Sequence, residues 1–159
     1  MKKLFIISLM SFLITVSIDH VNGQELTSQQ KSTIEKQVDV VFHDMVKIAE
    51  NLDYDKLSKG VDDTYHAGFI INGSYFATYD SLITVIKAKS QGATRQSITI
   101  QKEKISVLSE SIVLVTALGD SKVEVSSGNS FTTKFYWSFV YKKMGNNWKV
   151  IQSHQSVAR

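Results

Sequence analysis

Residues 131–157 read FTTKFYWSFVYKKMGNNWKVIQSHQSV, two β-prone runs joined by Met144-Gly145-Asn146-Asn147. Phe131, Phe135, Trp137, Phe139 and Tyr141 share one parity. Thr132, Lys134, Tyr136, Ser138, Val140 and Lys142 share the other. Side chains alternate faces along a strand, so this pattern predicts a strand with an aromatic face against a core and a more polar face outside it. The Gly/Asn turn returns the chain as a hairpin, with Trp148 opening the last strand.

Upstream, everything from Gln96 onward reads as strand. Ile98, Ile100, Ile105 and Val107 mark one long run, and Ile112–Leu118 (IVLVTAL), extending through Val123 and Val125, marks the next. Ile112, Leu114 and Leu118 lie on one parity and Val113, Val115 and Ala117 on the other. A strand apolar on both parities predicts burial on both faces. Helices cover one face, and a second copy of the chain is the economical cover for the other. Val140, Tyr136 and Val150 are expected to extend that outer patch.

Before the long strands stand two helical patterns and a hairpin. Ile34, Val38, Val41, Phe42, Met45, Ile48, Ala49 and Leu52 recur at three- and four-residue intervals. They form one apolar stripe, capped by Ser28 or by Ser32 in a Ser32–Glu35 capping box. A short helical piece is expected from Asp55 to about Val61. Asn72-Gly73 between Phe69-Ile70-Ile71 and Ser74-Tyr75-Phe76 is a strong short-range hairpin signal. A further helix, capped by Asp80 or Ser81, carries Leu82, Ile83, Val85 and Ile86 inward. The fold class expected is α+β, with N-terminal helices packed on the concave face of a curved antiparallel sheet.

The extreme N-terminus has a different character. Lys2 and Lys3 precede a mostly apolar run from Leu4 to Ile18, followed by Val21-Asn22-Gly23. A basic start, a short apolar core and small residues at a cut site are the order of a secretory signal peptide, and the run is too short for a transmembrane helix. The expectation is an exported protein, periplasmic or extracellular, with signal peptide 1–23, one domain over 24–159 and no membrane span after cleavage. The sequence has no Cys and no Pro, which excludes disulfides and thiolate metal sites. Its 18 Lys and Arg against 15 Asp and Glu are spread through the chain, without the basic stripe of a nucleic-acid binder.

The ending FVYKKMGNNWKVIQSHQS (Phe139–Ser156) resembles SnoaL-like domains and the association domains of calcium/calmodulin-dependent kinases, within the nuclear transport factor 2-like superfamily. The long first helix, Asp62-Asp63 before a hairpin, the second helix and Ser111–Thr116 follow the same order. The resemblance covers nearly all of residues 24–159. It implies a cone-shaped sheet (a cystatin-like roll), a pocket inside the cone and frequent dimerisation through the outer sheet face. It does not imply a function, because this fold carries many.

Isomerase chemistry in this superfamily needs a carboxylate base on the first hairpin and buried acid donors in the cone. No Asp or Glu lies between Asp63 and Asp80, and Trp137 stands where the resemblance places a buried acid. The cavity lining expected is Phe135, Trp137, Phe139, Ile151, Ser153 and Gln155, with Tyr65 and Tyr75. These groups suit a small hydrophobic or aromatic ligand; the same aromatics can instead fill the cone as core, leaving a structural or protein-interaction module. An enzymatic alternative, as an isomerase, cyclase or dehydratase, would use His66, Tyr65 or Asp62 at the cavity mouth. His43 reads as a helix-surface residue beside Phe42, and His154 as an outer-face residue. No His/carboxylate spacing specifies a metal, and no phosphate-binding loop or dinucleotide fingerprint calls for a cofactor.

Overall fold

A computed structural model describes residues 25–158; the expected signal peptide, 1–23, lies outside them. Three helices, α1 (Ser28–Glu50), α2 (Tyr54–Lys59) and α3 (Tyr79–Lys89), are combined with six strands. The strands are β1 (Phe69–Ile71), β2 (Ser74–Phe76), β3 (Ala93–Ser109), β4 (Ile112–Val125), β5 (Ser130–Met144) and β6 (Asn147–Val157). They form one sheet in the order β2-β1-β6-β5-β4-β3. The long strands are antiparallel as expected, but β1 pairs parallel to β6, so the sheet is mixed. Among the described residues, no helix is long and apolar enough to cross a membrane.

The first helix starts one residue earlier than its best-looking serine. Thr27 is the N-cap. Its hydroxyl accepts from the Gln30 N–H at 3.2 Å, and the Gln30 side chain accepts from the Thr27 N–H at 2.8 Å. The capping box is therefore Thr27–Gln30, not Ser32–Glu35. Ile34, Val38, Phe42 and Val46 form the buried face of α1 and pack against Val113, Val115 and Ala117 of β4 and Phe135, Phe139 and Tyr141 of β5. The set of β4 facing the helices is thus the valine and alanine parity. Phe131 is the exception on β5: it is exposed.

Close approach at one position curves the sheet. Gly119 of β4 pairs with Phe135 and with Ile100, next to a register shift between Ile100 and Lys102. A Cβ there would lie 2.0 Å from the Thr99 carbonyl oxygen and 2.9 Å from the Phe135 ring. Only a residue without a side chain lets β3 and the Phe135 ring close in together.

The Asn72-Gly73 turn has positive φ at both residues, 50° and 82°, as a type I′ hairpin requires. The turn is also tied to the far end of the chain. The Asn72 N–H donates to the Gln155 carbonyl at 2.8 Å, and the Val157 N–H donates to Asn72 Oδ1 at 3.0 Å.

The largest departure from strict alternation lies in β6. Between Val140 and Tyr141 of β5 the partner jumps from Gln152 to Val150, leaving Ile151 unpaired as a bulge. The jump reverses the parity, so Trp148 and Val150 face inward along with Ser153 and Gln155. Val150 is buried, its N–H donating to the Gly60 carbonyl at 3.0 Å and its carbonyl accepting from the Asp62 N–H at 2.9 Å. It is core and does not extend the outer patch, contrary to the strict-alternation reading.

Trp148 is 5% exposed, and its indole N–H donates to Gln37 Oε1 at 3.2 Å, joining the last hairpin to α1. Replacing it with alanine removes a buried ring and a tertiary hydrogen bond. Trp148→Ala is expected to cost about 3–5 kcal/mol, read as a shift of the denaturant midpoint. A loss under about 1 kcal/mol would contradict this packing.

Candidate functional site

The concave face of the sheet and the three helices line a half-open cavity of about 260 Å³. Met45, Val46 and Ala49 of α1 and Tyr54 and Leu57 of α2 form part of its wall, and Tyr79, Ile86 and Ser90 come from the α3 side. The sheet contributes Gln96 and Ile98, Ser121 and Val123, then Thr133, Phe135, Trp137 and Phe139, and finally Gln155, Ser156 and Val157. The Ile71-Asn72 end of β1 completes the wall. Among the described residues, none lining this cavity is Asp, Glu, Lys, Arg or His.

Strand alternation places the aromatic wall. Phe135 and Trp137 stack with ring centroids 3.8 Å apart and planes at 19°, and Trp137 meets Phe139 edge-on at 5.9 Å. Four of the expected lining residues, Phe135, Trp137, Phe139 and Gln155, stand on the cavity wall. Ser153 lies just behind it, buried, and its Oγ accepts from Gln155 Nε2 at 3.3 Å. That contact orients the amide without exposing the serine.

The other three expected residues do not line the cavity. Ile151 is the bulge residue of β6. Tyr65 is half-exposed outside the cone, where the Lys142 ammonium sits 4.9 Å from its ring centre. Tyr75 is exposed on the edge strand β2, its ring folded against Gly68. The residues of the enzymatic alternative also lie off the cavity. His66 is exposed, with a positive φ of 51° in the loop before β1. Asp62 accepts from the Thr64 hydroxyl at 2.5 Å and the Thr64 N–H at 3.0 Å, and these bonds hold its carboxyl below the usual carboxylate range. It is a loop-closing group. Asp63 accepts from the Tyr79 N–H at 3.0 Å and so helps to start α3. His154 is exposed on the outer face as expected, in an open groove with Tyr136, Ser138 and Leu118.

One tyrosine was missed from the sequence, and a second, Tyr141, lies on the core face as its parity predicts. Tyr79 begins α3 because the cap is Thr78, whose hydroxyl accepts from the Ser81 N–H at 3.3 Å. With Asp80 or Ser81 read as the cap, Tyr79 falls outside the helix. Its ring sits edge-on to Phe69 at 5.2 Å, and burial pushes its phenol up to about 12. It therefore stays protonated at neutral pH and acts as a neutral donor beside the cavity. Tyr141, deeper in the core, donates to Met45 Sδ at 3.6 Å, and burial pushes its phenol up as well. The polar equipment of the cavity is thus phenols, hydroxyls and amides, suited to hydrogen bonding a neutral molecule.

The raised phenol of Tyr79 links to stability with a definite sign. A tyrosine in the unfolded chain ionises near ~10, whereas the folded-state value is about 12. The contribution is fully present below the unfolded value and is lost as the pH climbs through the folded one. Between pH ~9 and pH ~11, unfolding free energy is expected to fall in the wild type, and Tyr79→Phe to reduce that fall by roughly 1 kcal/mol. Equal losses in the two proteins would place this phenol in contact with bulk water.

Comparison with known proteins agrees with this architecture. A provisionally named scytalone dehydratase from Novosphingobium aromaticivorans superposes with a TM-score of 0.74 at 8% identity, covering 84% of this chain and 89% of that one. A nuclear transport factor 2-like superfamily protein from Salmonella enterica serovar Typhimurium gives 0.70 at 12%, with 81% and 94% covered. A type 2 hexachlorocyclohexane dehydrochlorinase gives 0.68 at 11%, with 84% and 90% covered. At such identities the likeness is one of fold. No functionally curated protein matches the sequence. The SnoaL-like domain family, however, matches residues 38–159 directly, and the chain belongs to that family within the nuclear transport factor 2-like superfamily.

Proposed function

We propose that this SnoaL-like domain is an exported binding protein that holds a small, uncharged hydrophobic or aromatic molecule inside its cone. One observation carries the reading: the cavity combines a stacked aromatic wall, Phe135-Trp137-Phe139, with a lining that has no charged side chain among the described residues. Burying an ion beside such walls costs several kcal/mol without a partner charge, so a neutral ligand is favoured. General acid–base chemistry needs a group titrating near the working pH. The dehydratase and dehydrochlorinase names belong to the neighbours, and His66, Tyr65 and Asp62 lie outside the cavity here. A binding role therefore has more support than an isomerase, cyclase or dehydratase using those three residues.

The test uses N-phenyl-1-naphthylamine, an uncharged aromatic probe whose fluorescence rises in apolar surroundings. The protein is expected to bind it at one site, and Ala49→Phe, which fills the wall contributed by α1, to weaken binding by at least about tenfold while leaving the far-ultraviolet dichroism unchanged. No fluorescence gain, or a gain that Ala49→Phe leaves intact, would instead support the filled-cone reading.

We also infer a homodimer through the outer sheet face. Leu114 opposes Val140 and Leu118 opposes Tyr136 across β4 and β5, and the Tyr136 side chain is 47% exposed there. A self-complementary apolar strip on a sheet favours a two-fold partner. Light scattering at micromolar concentration is expected to give twice the chain mass, and Val140→Glu to shift it toward one. A wild-type monomer would rule the pairing out.

A further inference from the structure

Away from the cavity, between α1 and the edge strand β3, three metal-ligating side chains meet. Asp39 and His43 stand one helical turn apart, and Glu103 reaches them from β3. His43 Nε2 is 3.1 Å from Glu103 Oε2 and 3.6 Å from Asp39 Oδ1, and one donor atom from each residue lies within 4.8 Å of the others. None of the three lines the cavity.

The elements holding them are anchored in the core. Phe42, next to His43, is fully buried under the sheet, and the His43 ring rests edge-on against it at 5.4 Å. Glu103 pairs with Ala117, whose side chain belongs to the core, so its own side chain points to the helix-covered face. Lys102 and Lys104 flank it in sequence, but alternation sends both to the outer face, where they line the open groove.

The charge balance is unusual for a surface ion-pair cluster. Among the described residues, no Lys or Arg forms a salt bridge with Asp39 or Glu103; their only such partner is His43. Partial burial raises the Glu103 carboxyl above its ordinary range, His43 opposes the rise and Asp39 adds to it. Two carboxylates thus converge on one imidazole, with no Lys or Arg paired to them among the described residues.

We propose that Asp39, His43 and Glu103 bind a divalent first-row transition cation, with zinc as the representative ion. One imidazole nitrogen and two carboxylate oxygens are donors such cations accept, and the i, i+4 pair with a third ligand from a neighbouring strand converges on one point. Asp39 and His43 are half-exposed, at 49% and 43%, which leaves room for water to complete the coordination shell. Binding would cancel the repulsion between the carboxylates and clamp α1 onto β3.

The experiment takes the full chain, free of any histidine tag and stripped with chelator, and titrates zinc by calorimetry and cobalt by visible absorption. One equivalent of each is expected to bind in the micromolar range. His43→Ala and Glu103→Gln are each expected to weaken zinc by at least about tenfold, whereas His66→Ala leaves it unchanged. Zinc is expected to raise the melting temperature of the wild type but not of Glu103→Gln. That variant keeps the side-chain shape and removes one of the repelling charges, so it remains folded without metal. Absence of binding at millimolar zinc, or an affinity that either ligand variant leaves intact, overturns the site.

Discussion

The architecture turns on one extra residue in the last strand. Ile151 interrupts the pairing of β6 with β5, and Val150 is thereby free to bond the chain leaving α2 through Gly60 and Asp62. Without that bulge, β6 would present one uninterrupted parity, and either Trp148 and Val150 or Ser153 and Gln155 would have to leave the interior. With it, both sets face inward. The first half of β6 fills the core beneath α1, and the second half supplies polar groups to the cavity. The bulge thus divides a single strand between holding the fold together and lining the site.

The cavity follows from how the aromatic residues are spent. Phe42, Phe69 and Tyr141 are consumed in the core, whereas Trp137 keeps a face on open space because its neighbour Phe135 stacks along the strand instead of across the cone. Gly119 makes that stacking feasible by giving the Phe135 ring a place to lie. Polar groups enter at the ends of strands and helices: Gln96 donating to Ser121 at 3.2 Å, Gln155 braced by Ser153, and Tyr79 at the first turn of α3. Each is held by a neighbour or by a ring contact, and none is a carboxyl or an imidazole.

Much of this was legible in the sequence wherever the governing interaction is local. The stripe from Ile34 to Val46, the Asn72-Gly73 turn and the aromatic alternation of β5 each follow from a periodicity or a backbone requirement within a few residues. The α+β cone followed from their order and from the likeness of Phe139–Ser156 to SnoaL-like domains. What escaped depends on distant partners. The bulge at Ile151 accompanies hydrogen bonds of Val150 with the distant Gly60 and Asp62, whereas strict alternation put Ile151 in the cavity and Val150 outside it. Tyr65 and Tyr75 were drawn to the site by their chemistry, but Lys142 and the Gly68 loop hold them outside. Asp39 and His43 have visible helical spacing, yet their third partner, Glu103, appears only once β3 is laid beneath α1.

The parallel strand β1 also bears on how the chain reaches its native state. Asn72 and Val157, which hydrogen-bond to each other, are 85 residues apart along the sequence. The β3–β4–β5–β6 meander is built from neighbouring strands and can close step by step, whereas β1 must find the outer edge of β6 after that edge exists. With no proline and no cysteine in the chain, neither prolyl isomerisation nor disulfide exchange can set the pace. The step expected to be slow is the docking of this three-residue strand onto a distant edge. Because Ile71 and Asn72 also line the cavity, a chain in which β1 has yet to dock leaves the cavity wall open on that side.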